Sequence, residues 1–230
     1  MNLKSAIPNS LTLSNLVFGL AALISENIHQ AFYFIVFAAI ADFLDGFVAR
    51  LLGVANEMGK QLDSLADVVS FGVVPSFLLF KLLHPAIGPW ASISFALSAA
   101  AAYRLARFNL DTSPTFGFKG LPMPANGLFW MSFLLLNEST HFSIPIVITL
   151  IIIFTTLMAS SLPLLAIKFK NYGWKGNESR YVVIISILLS ITFSLIFLKN
   201  FVFGFPIALI LYLIISIVDN FFRNHEQIQS

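Results

Sequence analysis

Long apolar runs alternate with short polar breaks along the whole chain. Eight stretches read as helices: about 11–25, 31–52, 61–83, 90–107, 124–136, 142–166, 181–198 and 201–220. A straight membrane span needs about 20 predominantly apolar residues, a requirement that the fourth, sixth, seventh and eighth stretches meet. The fifth is short, and the first and third carry polar residues at one end. Such stretches are tolerated where they line a protein-enclosed cavity instead of facing lipid. The pattern therefore predicts an all-α polytopic membrane protein, a bundle of about eight transmembrane helices. It shows no internal repeat, no low-complexity linker and no second domain, so residues 1–230 are expected to form a single domain.

Composition strengthens that reading. The chain has 230 residues, 58% hydrophobic and only 10% charged, with a mean hydropathy of +0.88 and 25 Phe. A soluble domain carries about 25% charged residues. A net charge of +2 with scattered basic residues argues against a nucleic-acid partner. There is no Cys, so disulfides, thiolate metal sites and thiol nucleophiles are excluded. Lys4 and Pro8 precede the first apolar run without a small-residue cleavage site, and no cleaved signal peptide is expected.

The basic residues give an orientation. Eight spans put both termini on one side. That side carries 11 of the 13 basic residues: Lys4, Arg50, Lys60, Arg104, Arg107, Lys119, Lys168, Lys170, Lys175, Arg180 and Arg223. Lys81 and Lys199 fall on the other. The positive-inside rule assigns the richer side to the cytoplasm. The expected location is the cell inner membrane, with both termini cytoplasmic.

One window breaks the apolar pattern with acid. Asp42, Asp45, Asp63 and Asp67 account for more than a third of the 11 acidic residues. They stand at the predicted cytoplasmic end of the second and third helices, and carboxylates beside membrane spans are costly enough to demand a role. Spacings of three and four place each pair on one helix face, and the segment between Arg50 and Asp63 can turn back as a hairpin. The two pairs can then face each other. Four such carboxylates would repel one another, whereas two divalent cations balance their charge, and oxygen-only ligands select hard ions such as Mg²⁺, Mn²⁺ or Ca²⁺. Arg50, one turn further on, suits a phosphate oxygen. Gly46 and Ala49 let a bulky ligand approach the backbone. Cations, small residues and an arginine together describe a diphosphate site. Taken singly, each Asp also fits a proton relay or an ion pathway, and Gly46 and Gly59 also fit helix packing.

The window Asp42-x2-Asp45-Gly46-x2-Ala49-Arg50-x8-Gly59-x3-Asp63-x3-Asp67 resembles the signature of the CDP-alcohol phosphatidyltransferase family at every fixed position. The resemblance implies transfer of a phosphatidyl group from CDP-diacylglycerol to a small alcohol, with release of CMP. It implies that Asp42, Asp45 and Asp63 bind metal and that Asp67 is both ligand and general base. Such a base would accept the hydroxyl proton while the metal offsets the diphosphate charge. Two ions, Mg²⁺ or Mn²⁺, and a homodimer are implied with it. The segment from Ile7 to Asn15 resembles the family's nucleotide-contacting entry to the first span, which makes Asn9, Thr12 and Asn15 candidates for CDP-diacylglycerol binding beside Gly46, Ala49, Arg50, Asn56 and Gly59. A Pro-led helix start capped by Ser and Asn explains the same segment.

Further along, Tyr103 to Asn109 and Phe118 to Gly127 resemble the phosphatidylserine synthase branch of the family in its integral-membrane form, with L-serine as acceptor. A serine carboxylate calls for a cation such as Arg104 or Arg107, with Asn109 and Lys119 as further polar contacts. These basic residues also fit topology anchors at helix ends. The same chemistry with glycerol-3-phosphate or an inositol phosphate is the nearest alternative. A cation transporter using the acidic cluster is the rival of a different class, although Arg50 would repel its cargo.

Overall fold

The computed structural model describes residues 3–111, 117–165, 173–174 and 177–229. Lys168, Lys170 and Lys175, and the last residue of the expected 142–166 helix, lie outside the described residues.

Two compact units emerge, one formed by 1–111 with 122–159 and the other by 112–121 with 160–230. The first holds α1 (Leu3–Ile24), α2 (Ile28–Leu51), α3 (Glu57–Asp67), a π-helical turn (Val68–Val73), α4 (Val74–Ile87), a 3-10 turn (Gly88–Phe95), α5 (Ala96–Leu110), α6 (Met123–Thr140) and α7 (Ile144–Ala159). The second holds strands β1 (Gly117–Lys119) and β2 (Pro163–Leu165), then α8 (Glu178–Phe197), a 3-10 turn (Phe201–Phe203) and α9 (Gly204–Gln229). Among the described residues, five helical stretches are long and apolar enough to cross a membrane: 4–24, 28–51, 57–110, 178–197 and 201–221.

Each expected helix has a counterpart, but several boundaries move. The first begins at Leu3, so Pro8 lies inside α1 and Asn9 and Ser10 are helical rather than caps. The Thr12 hydroxyl lies 3.1 Å from the Pro8 carbonyl. The third helix is longer than 61–83, because Asn56 caps it at Gly59 and the chain stays helical through the π turn to Ile87. Gly88, at φ 56°, then breaks the path with a backbone conformation that favours glycine. The fifth, expected to be short, grows to 18 residues and is buried from Phe129 through Asn137. The sixth stops at Ala159. Its buried stripe Val147, Ile151, Phe154 and Met158 recurs at helical spacing.

Strands β1 and β2 are a small addition to the all-α expectation. They pair antiparallel, with Phe118 opposite Leu164. Three residues each is too short to leave a period-two pattern in the sequence.

Aromatic side chains meet across helices in the first unit. Phe18 of α1 packs with Phe34 and Phe37 of α2, where Phe37 remains exposed. Phe129, Trp130 and Phe133 of α6 close on Phe154 of α7 and on Phe142, with Phe129 and Phe154 centroids 4.2 Å apart. Aromatic pairs of this kind add roughly 0.5–1.5 kcal/mol beyond their buried area.

Candidate functional site

The acidic window folds as a hairpin. Helix α2 ends at Leu51, the backbone reverses through Gly53 at φ 62°, and Asn56 starts α3 by accepting from the Gly59 amide at 2.9 Å. The turn brings Asp63 and Asp67 to Asp42. Asp42, Asp63 and Asp67 each present a carboxylate oxygen within 4.8 Å of the others. Asp42 and Asp63 are half-buried, and Asp67 is only 6% exposed.

Asp45 stands apart from that trio, buried and held from α1 by the Thr12 hydroxyl at 2.5 Å. Helix α1 also reaches Asp67, since Asn15 Nδ2 donates to Asp67 Oδ1 at 3.1 Å. Thr12 and Asn15 are three residues apart, hence on one helix face, and each secures one acid of a different pair.

Positive charge flanks the acids. The Arg50 guanidinium folds back over its own helix, where a Cβ built on Gly46 would lie 3.3 Å from Nη1. Its charge acts on Asp45. Arg104 of α5 is 4% exposed, and its charge acts on Asp67. Gly59 sits beneath Asn9, whose Oδ1 would lie 3.4 Å from a Cβ there. Ala49, three residues after Gly46, is the small residue on the same face of α2.

The remaining candidates hold helices together. Asn109 donates to Ser64 Oγ at 2.9 Å and to Gln61 Oε1 at 3.4 Å, tying the end of α5 to α3. Arg107 donates to the last carbonyl of α7, Ala159, at 3.1 Å and lies over the Tyr103 ring. A cation at a helix C-terminus is favoured by the exposed carbonyls there. Lys119 lies in β1, and its side chain is outside the described atoms.

Three contributors were not singled out from sequence. Lys60 donates to the Asn109 carbonyl at 3.2 Å and lies over the Phe108 ring; the sequence marked it only as a basic residue on the richer side. Ser64 follows Asp63 directly and shows no distinguishing pattern. Ser70 donates to the Asn15 carbonyl at 3.0 Å, and its one signal is a polar residue inside an apolar run.

Hard oxygen donors converging at one point, with arginine on either side, suit a divalent cation carrying a phosphate ester. The comparisons agree. The family described as CDP-alcohol phosphatidyltransferase matches residues 5–218. A Helicobacter pylori protein named CDP-diacylglycerol–serine O-phosphatidyltransferase is 31% identical over 199 residues, 81% of each chain. A protein of that name from Bacillus subtilis is 38% identical over 128 residues, 53% of this chain and 71% of its own. Another from Methanocaldococcus jannaschii is 38% identical over 133 residues, 58% of this chain and 62% of its own. The chain belongs to the CDP-alcohol phosphatidyltransferase family.

Proposed function

We propose that this enzyme transfers the phosphatidyl group of CDP-diacylglycerol to L-serine, giving phosphatidylserine and CMP. The observation that carries the reading is the carboxylate trio of Asp42, Asp63 and Asp67. The donor set fits two Mg²⁺ or Mn²⁺ ions, which when bound would offset the diphosphate and the charge developing on the departing CMP. Arg50 over Gly46 is placed for a phosphate oxygen. Asn9, Thr12, Asn56 and Gly59 form the adjoining nucleotide end, with Gly46 and Ala49 leaving room for the diphosphate.

In the transfer, the serine Oγ attacks the phosphorus bonded to the diacylglycerol oxygen. An O–P bond forms as the P–O bond to the CMP phosphate breaks, and CMP keeps the bridging oxygen. Asp67 takes the hydroxyl proton. Asn15 already occupies Oδ1, which leaves Oδ2 for that proton. Arg104, buried and with its charge acting on Asp67, is the cation suited to the serine carboxylate. Arg107 and Asn109, on the same helix α5, are further polar candidates for the acceptor, and Lys119 is a candidate from the sequence alone.

The membrane arrangement follows the same logic. A 54-residue helical stretch would run about 80 Å at 1.5 Å per residue, more than twice the roughly 30 Å hydrocarbon core. It therefore makes two passes, with Gly88 between them. Three contacts within the first unit join helix ends and support alternating spans there. His29 at the start of α2 meets Glu138 at the end of α6, 3.2 Å apart. Lys60 at the start of α3 meets the end of α5, and Arg107 at the end of α5 meets the end of α7. With the basic residues in the cytoplasm, the site opens where a water-soluble amino acid meets a lipid-anchored nucleotide.

The deciding assay uses purified protein in nanodiscs with CDP-diacylglycerol and Mn²⁺, offering L-serine, glycerol-3-phosphate and inositol phosphate in turn. Serine-dependent CMP release with phosphatidylserine as product is expected. Release with a phosphorylated alcohol but not serine would move the acceptor assignment, and ion flux in liposomes without CMP release would remove the enzymatic one.

A further inference from the structure

The π turn starts at the residue after Asp67, and its chemical cause is in the sequence. In an α-helix the Phe71 carbonyl would accept from the amide of residue 75. That residue is Pro75, which has no N–H and whose ring crowds the carbonyl four residues earlier. Widening to i→i+5 bonds relieves the crowding, and the Val74 amide accordingly donates to Val69. The Phe71 carbonyl still needs a donor in an apolar interior, where an unsatisfied backbone group is costly. Asn126 of α6 supplies it, its Nδ2 donating at 2.8 Å from a side chain with 0% exposure.

The packing around the turn is built for this contact. A Cβ on Gly127, the next residue, would lie 2.6 Å from the Phe71 ring and 3.2 Å from its Cα. On the opposite side a Cβ on Gly19 of α1 would lie 2.3 Å from Ser70 Oγ, the hydroxyl that grips the Asn15 carbonyl. Asn15 in turn holds Asp67. A continuous set of contacts therefore runs from Asn126 through the π turn and Ser70 to Asn15 and the Asp67 carboxylate.

We propose that Asn126 is a positioning residue for Asp67: by holding the π turn open, it fixes the rotation of α3 that aims the carboxylate at the reacting hydroxyl. The inference rests on the proposed phosphatidyl transfer. Asn126 touches neither substrate nor metal in this scheme, and its effect passes entirely through the helix it braces.

Two variants separate positioning from mere stability. Asn126→Leu leaves the Phe71 carbonyl without its donor, and adding Pro75→Ala gives that carbonyl a backbone amide again, so the segment can close to an ordinary α-helix. The double variant is expected to match the wild type in thermal stability. Its kcat for CMP release should stay at least tenfold low, with KM for CDP-diacylglycerol within threefold. Recovery of kcat together with stability, or a change confined to KM, would overturn the proposal. Because Asp67 is also a ligand candidate, a Mn²⁺ titration followed by electron paramagnetic resonance gives a reading that needs no acceptor: affinity should fall at least threefold in the double variant, and an unchanged affinity would count against Asn126. Were the wild type to release no CMP with any alcohol, the functional reading would fail by itself while the Mn²⁺ titration still tested the bracing role.

Discussion

Asp67 shows how side-chain spacing and tertiary contact divide the labour at a single residue. Its interval of four from Asp63 puts both acids on one face of α3, which the sequence makes plain. The partner that orients it, Asn15, lies 52 residues earlier, and no periodicity connects the two. The same holds for Asp45 and Thr12, 33 residues apart. The chemistry assigned to Asp67 makes a sharp demand. Asp67→Asn preserves shape and the capacity to meet Asn15 while removing the proton acceptor. Its kcat should fall by about a thousandfold or more, general-base loss compounded by a weakened metal ligand, while CMP binding measured by calorimetry stays within severalfold. Near-normal turnover would end the general-base assignment.

At the scale of elements, glycine placement decides which helices approach closely. Gly19, Gly72 and Gly127 come from α1, the π turn and α6, and each would bring a Cβ to 2.8 Å or less of a neighbouring atom. For Gly72 the neighbour is Ala101 of α5. The turn is thus clasped by three helices through residues without side chains. Gly127→Val would push into the Phe71 backbone as well as its ring, and overpacking of this kind costs about 1–3 kcal/mol. A lower thermal midpoint in detergent, with CMP release reduced alongside it, is the expected result; an unshifted midpoint would mean that the π turn yields freely. The turn itself was invisible as an element, because the alignment of Pro75 with the Phe71 carbonyl has meaning only inside a helix that continues past it.

For the whole molecule, the apolar rhythm and the unequal distribution of basic residues are the grounds for the proposed orientation. The absence of Cys makes that orientation directly testable with single introduced thiols. Ala55→Cys lies in the α2–α3 hairpin and Glu26→Cys in the α1–α2 connection, both exposed. In inverted inner-membrane vesicles, a membrane-impermeant maleimide should label Ala55→Cys at once and Glu26→Cys only after the membrane is opened. The reverse order would invert the topology and put the site on the outer face. At this scale the structure fits the all-α membrane expectation, and the β1–β2 pair is a small addition whose three-residue strands are shorter than any pattern that marks them.

The sequence by itself determined the helical membrane character, the pairing of four acids by helical spacing and the family signature around them, because periodicity and local spacing are properties of the chain read in order. Tertiary structure alone decided that three of the four acids converge while Asp45 is held aside by Thr12, that Arg107 and Asn109 fasten helix ends, and that Asn126 supports the turn behind Asp67. Those outcomes depend on hydrogen-bond partners from separate helices meeting in an apolar interior, where every exposed carbonyl must find a donor.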